Sequence, residues 1–394
     1  MPYVEGRVVH DCDSHIMELP GWLDEFLDPA IRDRVEAIPG RPFKVGKYSA
    51  EDIERQHDDP DHQAKLEENV MATRGWFALG AYRKEDRIRA LDLMGFASQV
   101  VLTTAGLGAL ARVEHRDDRD LAYGLARAHN RAMADFCSAD DRLLPVYYLP
   151  LVDMAQSADF VGEAIDTGAA ALMVDAACPE GHGHSHVDLD RVWAQAAEAR
   201  VPIVLHVGAV GARLMDPTYT ENGLPKVKDF TGGDGNFTSV SFMSIPYIPA
   251  QTLSVFILDG VLDRFPDLRI GLLELGCSWI PGWMRFLDSA ADAFGRNEER
   301  LRKLSLKPSE YVQRQIRVGP YPHEDVGWVM QNGGDQVLMF SSDYPHIEGG
   351  RNPVKRFETS LETCSDAQKQ AFYCDNYVDF IGSSLDRVPV PAAG

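Results

Sequence analysis

Eight short apolar runs punctuate this chain, each a continuous block rather than an alternation, with helical spacing between them. They span 7–16, 98–104, 143–151, 170–175, 202–208, 269–276, 316–319 and 336–341. Strands buried on both faces read this way, and parallel sheets are covered on both faces. Between the runs, "DRDLAYGLARAHNRAMADFCSA" sets Leu121, Leu125, Ala128 and Ala132 at spacings of three and four. "DMAQSADFVGEAIDTG" offers Asp153 as a helix N-cap and Gly168 as a terminator. Eight strand–helix units favour an α/β fold of the (β/α)8 TIM-barrel type over an open doubly wound sheet. No glycine-rich turn of the nucleotide-binding kind follows the first run. The whole chain, 1–394, is read as a single TIM-barrel domain. Segments 20–85 and 211–249 are charged and irregular, follow the first and fifth runs, and are predicted as inserted loops at the barrel mouth.

A net charge of −21 and a pI near 4.9 argue against nucleic acid or an anionic membrane as partner, because both require a basic face. Six scattered cysteines with no CxxC pair, and an N-terminus without an apolar signal region, predict a reduced, cytoplasmic chain. No apolar run is read as a membrane span.

In a barrel, chemistry gathers at the C-terminal ends of the strands. The first run carries Asp13 and His15 in "DCDSHIMELP", two apart and so on one face of a strand. The fourth ends in Asp175, the fifth carries His206, the sixth carries Glu274, and the eighth is followed by Asp343 and His346 in "FSSDYPHIEGG". Buried carboxylates are costly unless paired with charge or bound to metal, and no Lys or Arg neighbours these positions within the runs. A shared divalent cation would neutralise several at once. Each residue also has a plainer reading. Asp175 fits the start of a turn, His206 alone fits a core histidine, and Glu274 fits a partner for Arg285 or Arg317. Asp13, His15, His206 and Asp343 together favour metal. The tract "GHGHSH" (His182, His184, His186) reads as a solvated loop, or as one in which His186 alone packs before the next helix, and His323 in "GPYPHED" as a turn residue.

With these residues in place, the chain resembles the second amidohydrolase family, metal-dependent TIM-barrel enzymes that include small-acid decarboxylases. The resemblance rests on "DCDSH", "FCSADDRLLPVYYLP", "DLDRVWAQAAEARVPIVLHVG", "GVLDRFPDLRIGLLELGCSWIPGWMRFLD" and "MFSSDYPHIEGG". It implies that Asp13 replaces the first His of the usual HxH pair, with His15 the second, His206 the fifth-strand ligand and Asp343 the eighth-strand acid. Glu274 stands where many members have a His, which argues against decarboxylation, and Asp175 lies near the bridging position of dinuclear members. The expected metal ligands are therefore Asp13, His15, Asp175, His206, Glu274, Asp343 and His346, with Asp343, Glu274 and His346 also catalytic. So oxygen-rich a set favours two Fe, with Zn or Mn as alternatives. The favoured expectation is a dinuclear non-haem iron monooxygenase that uses O2 to hydroxylate a C–H bond of a largely apolar small-molecule substrate. The alternative is a mononuclear Zn or Mn hydrolase or a non-oxidative decarboxylase of a small organic acid. Members of the family often pair, so a homodimer is expected.

Overall fold

A computed structural model of the chain describes residues 2–36, 48–116, 118–208, 215–225 and 238–389. Seven parallel strands form one sheet in sequential order: β1 (His10–Ile16), β2 (Ser98–Thr103), β3 (Leu143–Tyr148), β4 (Ala171–Met173), β5 (Ile203–His206), β6 (Ile270–Leu273) and β7 (Ile316–Val318). Every strand residue is buried, as expected of a sheet covered on both faces. Helices cross over between successive strands, giving a TIM-barrel-like α/β fold. Asp153 caps the helix Met154–Asp166 by accepting from the Gln156 N–H at 3.1 Å, as its sequence predicts.

The eighth predicted strand, 336–341, is not a regular strand. Its backbone bonds to both edges of the sheet: Val318 N–H donates to Val337 O at 2.7 Å, and Cys12 N–H donates to Phe340 O at 3.0 Å. Its own ladder is interrupted because Phe340 N–H turns away to Phe372 O at 2.9 Å. Two residues beyond the run, Asp343 enters a left-handed conformation with φ 50°. The run therefore seams β7 to β1 without extending the sheet.

The described residues of segment 20–85 are not irregular throughout; residues 37–47 lie outside the described residues. The segment holds helices Arg32–Glu36, Ala50–His57 and Pro60–Glu68, and the next helix, Lys84–Met94, starts at its end. Ser49 and Asp52 form a capping box, while His57 and His62 bond the carbonyls of Trp76 and Phe77 at 2.9 Å each. Leu66, Met71, Ala78 and Leu79 enter the core. The charged outer faces of these short helices masked their spacing. Of 211–249, residues 211–214 and 226–237 lie outside the described residues. The remainder includes the short helix Ser239–Phe242 and the start of Tyr247–Leu258. Against the reading that no run is membrane-like, Ser239–Leu258 is long and apolar enough by length and composition to cross one. It is two helices, and Leu253, Phe256 and Ile257 of the second are buried in the core.

The helix Arg119–Cys137 buries His129, whose Nδ1 lies 2.9 Å from Asn130 Oδ1. Burial pushes this imidazole down to about 4, from 6.5 in the unfolded chain. The unfolded state therefore binds the extra proton between those values, and stability falls as pH drops from 6.5 toward 4. Between pH 7 and pH 4, wild type is expected to lose about 3 kcal/mol more unfolding free energy than H129Q, as read by urea titration.

Candidate metal centre

β1 carries one extra residue against β2 between Asp11 and Ser14, a bulge next to the site. Asp13 and His15 face each other across it, with His15 Nε2 3.1 Å from Asp13 Oδ1. His206 ends β5, and its Nε2 lies 3.6 Å from Asp13 Oδ1 and 3.5 Å from Glu274 Oε2. Glu274 directly follows β6 at φ 51°, a left-handed backbone that costs a non-glycine residue energy, and Tyr321 OH donates to its carbonyl. Asp343, also left-handed, places Oδ1 at 3.7 Å from His15 Nε2 and 2.9 Å from His346 Nδ1. All six residues are buried. Ligand atoms of His15, Glu274, Asp343 and His346 lie within 4.8 Å of one another, as do those of Asp13, His15 and His206.

The outer nitrogens of the three imidazoles set their tautomers. His15 Nδ1 meets Thr103 O at 3.3 Å and His206 Nδ1 meets Val207 O at 2.6 Å; a carbonyl only accepts, so both nitrogens carry hydrogen. Thr104 Oγ1 donates to Ile16 O at 2.8 Å, so the His346 Nε2–H donates to Thr104 Oγ1 at 2.7 Å. Each inner nitrogen therefore meets a carboxylate oxygen across a gap that only a cation, proton or metal, can fill. Protonating all three would crowd three positive rings, with centroids 3.9 Å apart for His15–His346 and 5.1 Å for His15–His206. Divalent metal satisfies such contacts without that repulsion, and the donor set of each ligand group fits it. Burial opposes ionisation of Asp13, but positive charge in its gaps to His15 and His206, as protons on those rings, outweighs it and holds the carboxyl below the usual range.

Asp175 is not brought to this cluster. Its carboxylate accepts from His115 Nε2 at 2.9 Å and from Ala177 N–H at 2.8 Å. Its sequence pattern, an acid closing an apolar run, is shared by ligands and turn residues alike. The His-rich tract is not a solvated loop throughout: His184 is fully buried. His323 stacks on Tyr321 at 5.3 Å between ring centroids, beside Phe242.

Three supporting residues escaped the sequence reading. Asp11 accepts from Ser342 N–H (2.8 Å), Ser342 Oγ (2.6 Å) and Gln99 Nε2 (2.8 Å), tying β1, β2 and the 336–344 seam together. The 11–13–15 spacing was its available signal. Thr104 fixes His346, and T104V is expected to weaken divalent-metal affinity about 10–100-fold in a chelator competition titration. Gly349 lets the chain return over Asp343, since a Cβ there would stand 2.1 Å from Ser342 O.

The architecture finds a match among known proteins. The amidohydrolase family model matches residues 11–377, and the chain belongs to that family. An amidohydrolase from Mycobacterium avium subsp. paratuberculosis K-10 superposes with a TM-score of 0.72 at 20% identity, covering 96% of this chain and 99% of that one. A manganese-bound mutant of 5-carboxyvanillate decarboxylase from Novosphingobium aromaticivorans gives 0.63 at 17% identity, covering 95% and 97%. In sequence, the decarboxylase orsB of Emericella nidulans is 26% identical over 198 residues, 50% of this chain. The match spans 56% of that relative's length. The iron-oxygenase expectation finds no support among these relatives.

Proposed function

We propose that this chain is a metal-dependent, non-oxidative decarboxylase of a hydroxylated aromatic acid. The carrying observation is a pair of buried ligand groups that share His15 at the strand ends, one of His15, Glu274, Asp343 and His346 and one of Asp13, His15 and His206. His15, His206, Asp13, Glu274 and Asp343 would hold one hard divalent cation of the manganese class, with His346 supporting Asp343. When bound, the cation supplies a positive charge that fixes the substrate's oxygens and favours electron density on the ring. Asp343 carries the proton: as the C–C bond breaks, its electron pair stays on the ring carbon, CO2 leaves, and that carbon takes the proton. His346, 2.9 Å from Asp343 Oδ1, holds that carboxyl in place. Glu274 takes the position of the usual histidine and faces His206, an exchange of one ligand type for another that does not argue against this chemistry. Support comes from two decarboxylases among the relatives, one with manganese bound. We read the fold as one domain, a (β/α)8 barrel whose eighth stave is the 336–344 seam, with the described parts of 20–85 and 211–249 building the mouth.

One observation favours a second reading. The ligand atoms fall into two groups that share His15, a layout that suits two cations and hence the dinuclear iron oxygenase. Manganese-loaded protein given 5-carboxyvanillate and related hydroxybenzoates is expected to release CO2 without consuming O2, with one metal per chain. Two irons per chain, with O2 uptake and a hydroxylated product, would replace the first reading with the second.

A further inference from the structure

The loop after β4 carries a second reactive arrangement, separate from the metal cluster. Cys178 is the exposed one of the six free cysteines; four are buried and Cys374 is half-buried. Its Sγ lies 3.6 Å from His184 Nδ1. The other ring nitrogen, His184 Nε2, meets Asp175 O at 2.8 Å, and that carbonyl only accepts. Nε2 therefore carries the hydrogen, and Nδ1 presents its lone pair to the thiol. The ring has little freedom to turn away. It is fully buried, its own carbonyl accepts from Trp193 Nε1 at 3.1 Å, and Phe256 lies 5.9 Å from it between ring centroids. On the thiol's side, Thr252 Oγ1 holds the Ala176 carbonyl and Asp175 anchors its carboxylate on His115. Nucleophile, base and a third group orienting the base are the parts of an activated thiol. Asp175, which the sequence suggested for metal, supplies the orienting carbonyl.

We infer that Cys178 is a nucleophilic thiol served by His184 as its base, a covalent modification site for soft carbon electrophiles. As the S–C bond forms, the thiol proton passes to His184 Nδ1 and the leaving group departs as its anion. Nothing in this step draws on the metal cluster. Burial keeps His184 in its neutral, accepting form, which agrees with the geometry. The charged and titratable groups that act on His184 are Asp175, His182 and His115, and Glu114 and Glu180 act on His115 in turn.

Iodoacetamide in limiting amount, followed by peptide mass spectrometry on the full chain, tests this. Cys178 is expected to be labelled first, and H184Q to slow that labelling at least about 10-fold while leaving Cys374 unchanged. Equal rates at Cys178 in wild type and H184Q would overturn the assignment. Should H184Q misfold, exposing Cys12 and Cys277 to the reagent, the wild-type pH dependence decides. A base-assisted thiol is expected to lose less than about 3-fold in rate between pH 8 and 6.5. An unassisted thiol of pKa ~8.5 loses about 25-fold over that range, and that result would also overturn it.

Discussion

Alanine at His206 or at Asp343 is expected to abolish stoichiometric binding of a divalent cation while leaving the far-ultraviolet circular dichroism of the barrel intact. Supporting residues around metal ligands are worth about 10–100-fold in affinity, so deleting a ligand should cost at least the upper end. His206 Nε2 meets both Asp13 and Glu274, and Asp343 meets both His15 and His346, so each deletion opens contacts in both ligand groups. D175N is the matched control. Its carboxylate serves His115 and Ala177, so the variant should keep its metal. Elemental analysis after dialysis against a weak chelator reads all three. Full metal content in H206A or D343A would remove that residue from the ligand set, and loss in D175N would return Asp175 to it.

Asp11→Ala is expected to have the largest effect on stability. The carboxylate is fully buried and accepts three short hydrogen bonds, two from Ser342 and one from Gln99. Removing it strands those buried donors at about 1–3 kcal/mol each, a loss of about 4 kcal/mol once neighbours relax. Urea denaturation at neutral pH measures this, and a change under about 1 kcal/mol would mean that the seam does not depend on Asp11. Burial raises the Asp11 carboxyl to about 6 against the pull of its Ser342 and Gln99 donors. A group raised this way favours the folded state less as pH climbs through that value, so at neutral pH the hydrogen bonds carry the stabilisation against the charge.

The strands were legible because burial on both faces writes an unbroken apolar run, and β2, β3 and β7 start where their runs start. The run at 336–341 has the same composition and is not a strand, because Phe340 gives its N–H to Phe372. No local pattern encodes that long-range choice. At the site, Asp13, His15, His206, Glu274, Asp343 and His346 were each readable as polar residues interrupting or closing an apolar run. The left-handed backbones of Glu274 and Asp343 were not, since nothing in "LLELG" or "SSDYP" demands positive φ of a non-glycine residue. Asp175 shows the limit of the same rule: chain position puts it at a strand end, but His115, arriving from another crossover, decides where its carboxylate goes. Counting carboxylates favoured iron, yet ligand type alone does not separate manganese from iron.

The clamp between Asp11 and Ser342 joins positions 331 residues apart in sequence. Asp13 and Asp343 sit beside its two ends, so the ligand set is not whole until nearly the entire polypeptide has been synthesised and its first and last strand-forming stretches have met. A chain still emerging from the ribosome holds His15 and His206 but lacks the acid that faces His15 from the far side. Uptake of the ion is thereby deferred to the end of biogenesis, and a product cut short before residue 343 should fold in part and remain unable to load.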